Sequence, residues 1–195
     1  MTQTAAPWVP RHADIEKLKR AAKDCRGCEL WEPATQVVFS AGNPGAPLAL
    51  VGEQPGDVED REGIPFVGPA GRLLQDALGE AEVPLDEVYV TNAVKHFRFT
   101  QRGKRRIHAT PQVAHIKACR PWLEAELRLV DPALIVCLGA IAARSLLGTT
   151  FRVTQQRGQV LELATPIGMR RVLATVHPSA VLRATGPSVP SVRTW

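Results

Sequence analysis

The sequence predicts an α/β fold built on a parallel sheet, and three observations carry that reading. Four short apolar runs, "LALVG" (48–52), "VYVTNAV" (88–94), "LIVCLG" (134–139) and "VLATVH" (172–177), have the continuous hydrophobicity of strands buried on both faces. Helical patterns separate them. Residues able to do chemistry follow each run at its carboxyl end, where open parallel sheets bind their ligands. The 195-residue chain reads as a single domain, 1–195, long enough to bury a core. Its last stretch, about 185–195, reads as an irregular tail because "ATGPSVPSVRTW" contains Pro and Ser.

In chain order, "RHADIEKLKRAAKDC" repeats Ile15, Leu18, Ala21 and Ala22 at helical spacing. "QVVFSAG" is a weaker run, expected as an edge strand. The first strong strand leads into "GEQPGD", and "GPAGRLLQDALGEAEV" then lines Leu73, Leu74, Ala77 and Leu78 along one helix face. After the second strand come Asn92, Lys95 and His96, then "KRRIH" (104–108), read as a basic loop ending in a histidine. "TPQVAHIKAC" and "PWLEAELRLV" read as two helices, the second with Pro121 in its first turn. The third strand feeds the helix "GAIAARSLLG", "QVLEL" is a second edge strand, and the fourth strand runs into "HPSAVLR". Alternating strands and helices predict a sheet covered on both faces.

Hydrophobic residues at 45% and charged residues at 22% are ordinary for a globular protein. No stretch approaches the roughly 20 apolar residues of a membrane span, and the start lacks the apolar core of a signal peptide. A cytoplasmic protein with no membrane partner is expected. The net charge of +5 is segregated. Between Val88 and Leu123 there is no Asp or Glu, but Lys95, Arg98, Arg102, Lys104, Arg105, Arg106, Lys117 and Arg120 all occur. Such a face commonly meets a phosphate backbone, and anionic lipid or a small phosphate ligand would also suit it.

Four cysteines need a reason in a cytoplasmic chain, where disulfides rarely persist. Cys25 and Cys28 form "CRGC" at a helix end, with Cys119 and Cys137 far along the chain. Zinc and an iron–sulfur cluster both accept four thiolates; the alternative is that Cys119 and Cys137 are merely buried. "GEQPG" turns tightly between Gly52 and Gly56 and presents Glu53 and Gln54 outward, unless it is a plain turn. It is no P-loop, because Asp57 follows where Lys would stand. His177 and Ser179 sit at a strand end and helix start, suited to an anion or simply to capping. Phe66 could stack on a flat ligand or fill the core.

Taken together and in order, "GEQPG", "GIPFVGPAGRLL", "VYVTNAVKH", "ACRPWLEAEL", "CLGAIAARSLLG" and "HPSAVLR" resemble the iron–sulfur family 4 branch of the uracil-DNA glycosylase superfamily, over about residues 25–184. Gln54, where ordinary family 4 enzymes have Ala, and the "KRRIH" insertion resemble the UdgX subgroup, whose members link covalently to DNA through the histidine of that insertion. The resemblance implies a three-layer αβα sandwich around a central four-stranded parallel sheet. It implies a structural [4Fe–4S] cluster held by Cys25, Cys28, Cys119 and Cys137, and His108 as the residue joined to DNA.

On that resemblance the expected substrate is uracil-containing DNA, single-stranded by preference, with free uracil as product and a monomeric protein. Phe66 would stack on the extruded base, Asn92 would match its O4 and N3–H, and His177 would stabilise charge at O2. Gly52, Gly56 and Asp57 complete the expected base site. His108 would capture the sugar C1′ in place of water, in a single turnover. Arg106 would position the loop, and Glu53 would orient the sugar or take a proton, with Gln54 in the same polar network. Lys104, Arg105 and Ser179 would hold phosphates, and the nearby cations would favour a neutral His108. The alternatives are a multiple-turnover family 4 glycosylase using water and a non-enzymatic nucleic-acid-binding module.

Overall fold

The computed structural model describes residues 4–148, 150–165 and 167–184, so the expected tail lies outside the described residues. Its centre is a six-stranded sheet in the order β1-β3-β2-β6-β8-β7. Here β1 is Ser40–Gly42, β2 Leu48–Gly52, β3 Val88–Asn92, β6 Leu134–Leu138, β7 Val160–Thr165 and β8 Gly168–Thr175. The four expected strands, β3, β2, β6 and β8, pair in parallel. The two weaker runs pair antiparallel at the edges, β1 on β3 and β7 on β8, so the four-stranded parallel core gains two flanks.

Strand alternation divides the apolar side chains between two helical layers. Leu50, Val88 and Leu138 face α3 (Pro69–Glu80), where Leu74 and Leu78 cover them. Ala49, Val51, Ile135 and Cys137 face the other way, onto Leu123 and Leu127 of α4 (Val113–Val130) and Ala142 and Leu146 of α5 (Ala140–Leu147). Beside them α1 (Ile15–Ala22) packs on α4, with Asp14 capping it by accepting from the Lys17 N–H at 2.7 Å. The result is the three-layer α/β architecture.

Two local expectations change. The segments around Pro121 form one helix of 18 residues with the proline inside it. Its buried stripe, from His115 through Trp122 and Leu127 to Val130, is continuous across the proline and holds both halves to one core. Pro121 has no N–H to give the Lys117 carbonyl four residues back, and one residue further along the Ala118 carbonyl accepts from Ala5 N at 2.8 Å. The expected basic loop is a β-hairpin, β4 (Phe99–Arg102) paired with β5 (Arg105–His108). Gly103 at φ +57° supplies the left-handed residue its tight turn requires.

Candidate active site

The loops leaving β2, β3 and β8 meet the hairpin around a cavity of about 760 Å³. Glu53, Gln54, Gly56, Asp57, Phe66, Asn92, His108, His177 and Ser179 all line it. Gly52 packs against two of the lining residues: a Cβ there would stand 2.3 Å from Asn92 Oδ1 and 2.6 Å from the Phe66 ring. Phe66 itself has φ +56°, a conformation rare for aromatic residues, and its ring stacks 6.1 Å from His177 at an interplanar angle of 28°. Gly71 permits this turn, because a Cβ there would fall 1.7 Å from the Phe66 carbonyl oxygen. Asn92 is 2% exposed, and its Oδ1 has no hydrogen-bond partner among the described residues. An orphaned buried acceptor of this kind is a seat for a ligand's N–H.

His177 follows β8, and a short helix, Pro178–Ala184, starts beside it. Its Nδ1 accepts from the Ser179 N–H at 3.1 Å, so the proton of the neutral ring sits on Nε2. Burial is the main reason its pKa falls to about 4, with Arg183 adding to the effect. Ser179 Oγ lies 2.9 Å from the same Nδ1 and accepts from Arg183 at 3.2 Å. Ser179, expected on a phosphate, is therefore engaged in holding the histidine.

His108 ends β5 with Nε2 3.4 Å from Glu53 Oε1, while its ring is tilted against Phe97 at 6.2 Å. Arg106, two residues earlier and on the same hairpin face, turns toward α2 (Asp57–Glu62). It donates to Asp57 Oδ1 at 2.5 Å, Asp60 Oδ2 at 2.6 Å and Thr35 Oγ1 at 3.0 Å, and its guanidinium lies over Phe97 and Phe99. Asp57, expected to meet substrate, gives one carboxylate oxygen to Arg106 and the other to Arg61. The expected trio of free cations around His108 is thus reduced, since Arg106 is matched by two carboxylates and Glu53 stands opposite the imidazole. Lys104 and Arg105 remain exposed at the hairpin turn, outside the cavity.

Three structural partners escaped the sequence reading. Asp60 is fully buried and also receives the Thr35 N–H. Glu59 accepts from Gly56 N at 3.1 Å and Gly68 N at 2.8 Å, stapling the "GEQPG" turn to the segment that carries Phe66. Behind Asn92, Lys95 is ion-paired with Glu126, both buried, and donates to the Asn92 carbonyl at 3.0 Å. Asp57 and Asp60, one helical turn apart opposite an acid-free basic stretch, were the only available signal for the first.

The sequence profile of the uracil DNA glycosylase superfamily matches residues 39–193, most of the chain and all of the cavity's lining. The chain belongs to the uracil-DNA glycosylase superfamily. It is 35% identical over 173 residues to a type-4 uracil-DNA glycosylase of Sulfurisphaera tokodaii, covering 86% of this chain and 76% of that protein. The type-4 enzyme of Thermotoga maritima is 35% identical over 170 residues, covering 87% and 83%. That of Archaeoglobus fulgidus is 34% identical over 172 residues, covering 86% and 83%. No helix among the described residues is long and apolar enough to cross a membrane.

In this superfamily member three of the four cysteines share a core. Cys25, Cys28 and Cys119 are buried together between α1 and α4. Each sulfur has an N–H beside it: Trp122 Nε1 on Cys25 at 3.3 Å, Lys95 N on Cys119 at 3.3 Å, and Leu30 N on Cys28. Burial raises the Cys28 thiol and pushes Cys119 up to about 12, so each holds its proton at neutral pH. Among the described residues no three His, Cys, Asp or Glu side chains converge as a single metal ion would require. The buried thiols with their N–H donors nonetheless suit the thiolate ligands of an iron–sulfur cluster. Cys137, expected as the fourth, lies in a separate apolar group on β6 with Ala49, Val51 and Leu123. β6 is two places along the sheet from β3, which borders the cysteine core through Tyr89, a separation of about 10 Å.

Proposed function

We propose that this protein excises uracil from DNA and then joins itself to the sugar through His108, as the likeness to the UdgX subgroup implies. The observation that carries the reading is His108 Nε2 standing 3.4 Å from Glu53 Oε1, over a cavity whose inner wall offers Phe66, Asn92 and His177 to one flat base. The names of the type-4 relatives support uracil as that base.

A base inside a duplex is out of reach, so the substrate nucleotide is extruded or taken from single-stranded DNA, the preferred form. Phe66 stacks on the uracil. Asn92 Oδ1 accepts its N3–H and Asn92 Nδ2 donates to O4; cytosine presents the reverse polarity at both positions. His177 Nε2–H donates to O2, where charge gathers as the C1′–N1 bond breaks and its electron pair leaves with uracil. The sugar becomes oxocarbenium-like, beside the Glu53 carboxylate. The Nε2 lone pair of His108 then forms the C1′–N bond, and the proton lost from Nδ1 balances the one taken up by the uracil anion. Imidazole departs poorly from such a carbon, so each molecule acts once and releases one free uracil. Lys104 and Arg105, at the hairpin turn, hold flanking phosphates.

Cys25, Cys28 and Cys119 would hold a [4Fe–4S] cluster, which supplies a fixed tie between α1, the "CRGC" turn and α4. His96 is the fourth donor in this reading: it is buried, it follows the residue whose N–H meets Cys119, and burial lowers its pKa to about 4. The protein acts as a monomer.

The test mixes the protein with uracil-containing single-stranded DNA and resolves it on a gel after boiling in detergent. A retarded protein–DNA band is expected. His108→Ser should remove the band while uracil release continues with water; an unchanged band would refute His108 as the nucleophile. The type-4 names favour one other reading, hydrolysis with many turnovers, which would give abasic DNA in excess over protein and no retarded band.

A further inference from the structure

Lys95 is 1% exposed, an unusual setting for an ammonium. An ammonium has three N–H donors, and this one reaches Thr91 Oγ1 at 2.6 Å, the Asn92 carbonyl at 3.0 Å and Glu126 Oε2. Glu126 Oε1 in turn accepts from the Tyr89 and Thr91 hydroxyls, each at 2.9 Å. The main chain of Lys95 is held as well, its N–H by Cys119 Sγ at 3.3 Å and its carbonyl by Val38 N at 2.9 Å. A buried ion pair loses about as much in desolvation as it gains, and a well-packed apolar pair is often as stable. Stability alone therefore gives no reason for these charges. What an apolar pair lacks is a donor for the Asn92 carbonyl, and the need for one is local. On the β1 side the ladder stops at Ser40 opposite Thr91, one residue short of Asn92. Asn92 Oδ1 has no hydrogen-bond partner among the described residues, so the direction of the amide depends on the backbone that carries it.

We propose that Lys95 is a positioning residue for base recognition: its ammonium fixes the Asn92 peptide and so aims the Asn92 amide at the pyrimidine edge. Glu126 holds the ammonium at that carbonyl, and neither side chain touches base or sugar. This deepens the reading of Asn92 as the residue that meets N3–H and O4, and rests on it. A misplacement of about 1 Å at such a contact costs about a hundredfold in rate.

The experiment replaces the pair with uncharged side chains of similar length, Lys95→Met together with Glu126→Gln. The new amide keeps an oxygen for the Tyr89 and Thr91 hydroxyls. Single-turnover uracil release from single-stranded DNA is measured in this double variant, in Asn92→Ala and in the triple variant, with bound iron and the urea midpoint alongside. The double variant should release uracil at least about tenfold more slowly at saturating DNA, with the half-saturating concentration, iron and urea midpoint little changed. Added to Asn92→Ala, the same two changes should slow release by less than about twofold, because changes acting through one group do not add. Equal slowing in both backgrounds would mark general damage and overturn the proposal, as would undiminished release by the double variant. Asn92→Ala releasing uracil at the parent's rate would instead refute the base reading, and the proposal with it. Should the double variant fail to fold, Lys95→Met with Glu126→Met is read in the same way.

Discussion

At the scale of single residues, His177 shows how a neighbouring contact sets chemistry. Its Nδ1 faces the Ser179 N–H, so a second proton there would set two donors against each other. With a pKa of about 4, the ring keeps its useful tautomer through the mildly acidic range. Uracil release should therefore hold from about pH 8 to about pH 5 and fall as the pH nears about 4, as single-turnover rates across that range would show. The same shift bears on stability. The folded value lies below the ordinary 6.5, so the contribution is complete above pH 6.5 and is lost as pH falls toward about 4. Glu53, Phe66, Asn92 and His177 were legible because glycines, prolines and strand ends mark them. Asp60 was not: an acid on a short helix reads as solvent-facing, and its partner Arg106 is 46 residues away.

At the scale of elements, the hairpin is the clearest departure from expectation. "RFTQRGKRRIH" looks like solvated charge, yet Phe99, Gln101, Arg106 and His108 fall on one face of a ribbon, and Phe99 and Arg106 are partly buried there. Periodicity was present, but arginine occupied an inward position and disguised it. Arg106→Ala should leave Asp60 buried and uncompensated, lowering stability by about 3 kcal/mol in denaturant titration. Adding Asp60→Asn should recover part of that loss. Crosslink yield should fall further than uracil release, because Glu53, Asn92 and His177 do not depend on the ion pair. The four central strands were legible because strands buried on both faces need unbroken apolar runs. The single helix through Pro121 was not, since a proline at a first turn and a proline spanned by a continuous core look alike in sequence.

At the scale of the whole molecule, the basic excess is delivered by exposed positions of the hairpin. Replacing Lys104 and Arg105 with Ala should make the slope of log affinity against log salt shallower by about 1.4 on single-stranded DNA, at about 0.7 per phosphate contact. Fluorescence anisotropy with the His108→Ser protein would read it without interference from capture. The cysteines give a second global test: Cys119→Ala should lose iron and lower the melting temperature, whereas Cys137→Ala should keep its iron, as metal analysis would reveal. Spacing alone could not separate these cysteines, because which core each one enters depends on strand order. Lys95 and Glu126, opposite charges sealed beneath the sheet, carry a last implication. Neither can be exchanged for a neutral residue by itself without stranding its mate in an oil-like interior. A library randomised at both positions and selected for folding should return matched couples, either two ions or two uncharged residues, and almost no mixtures.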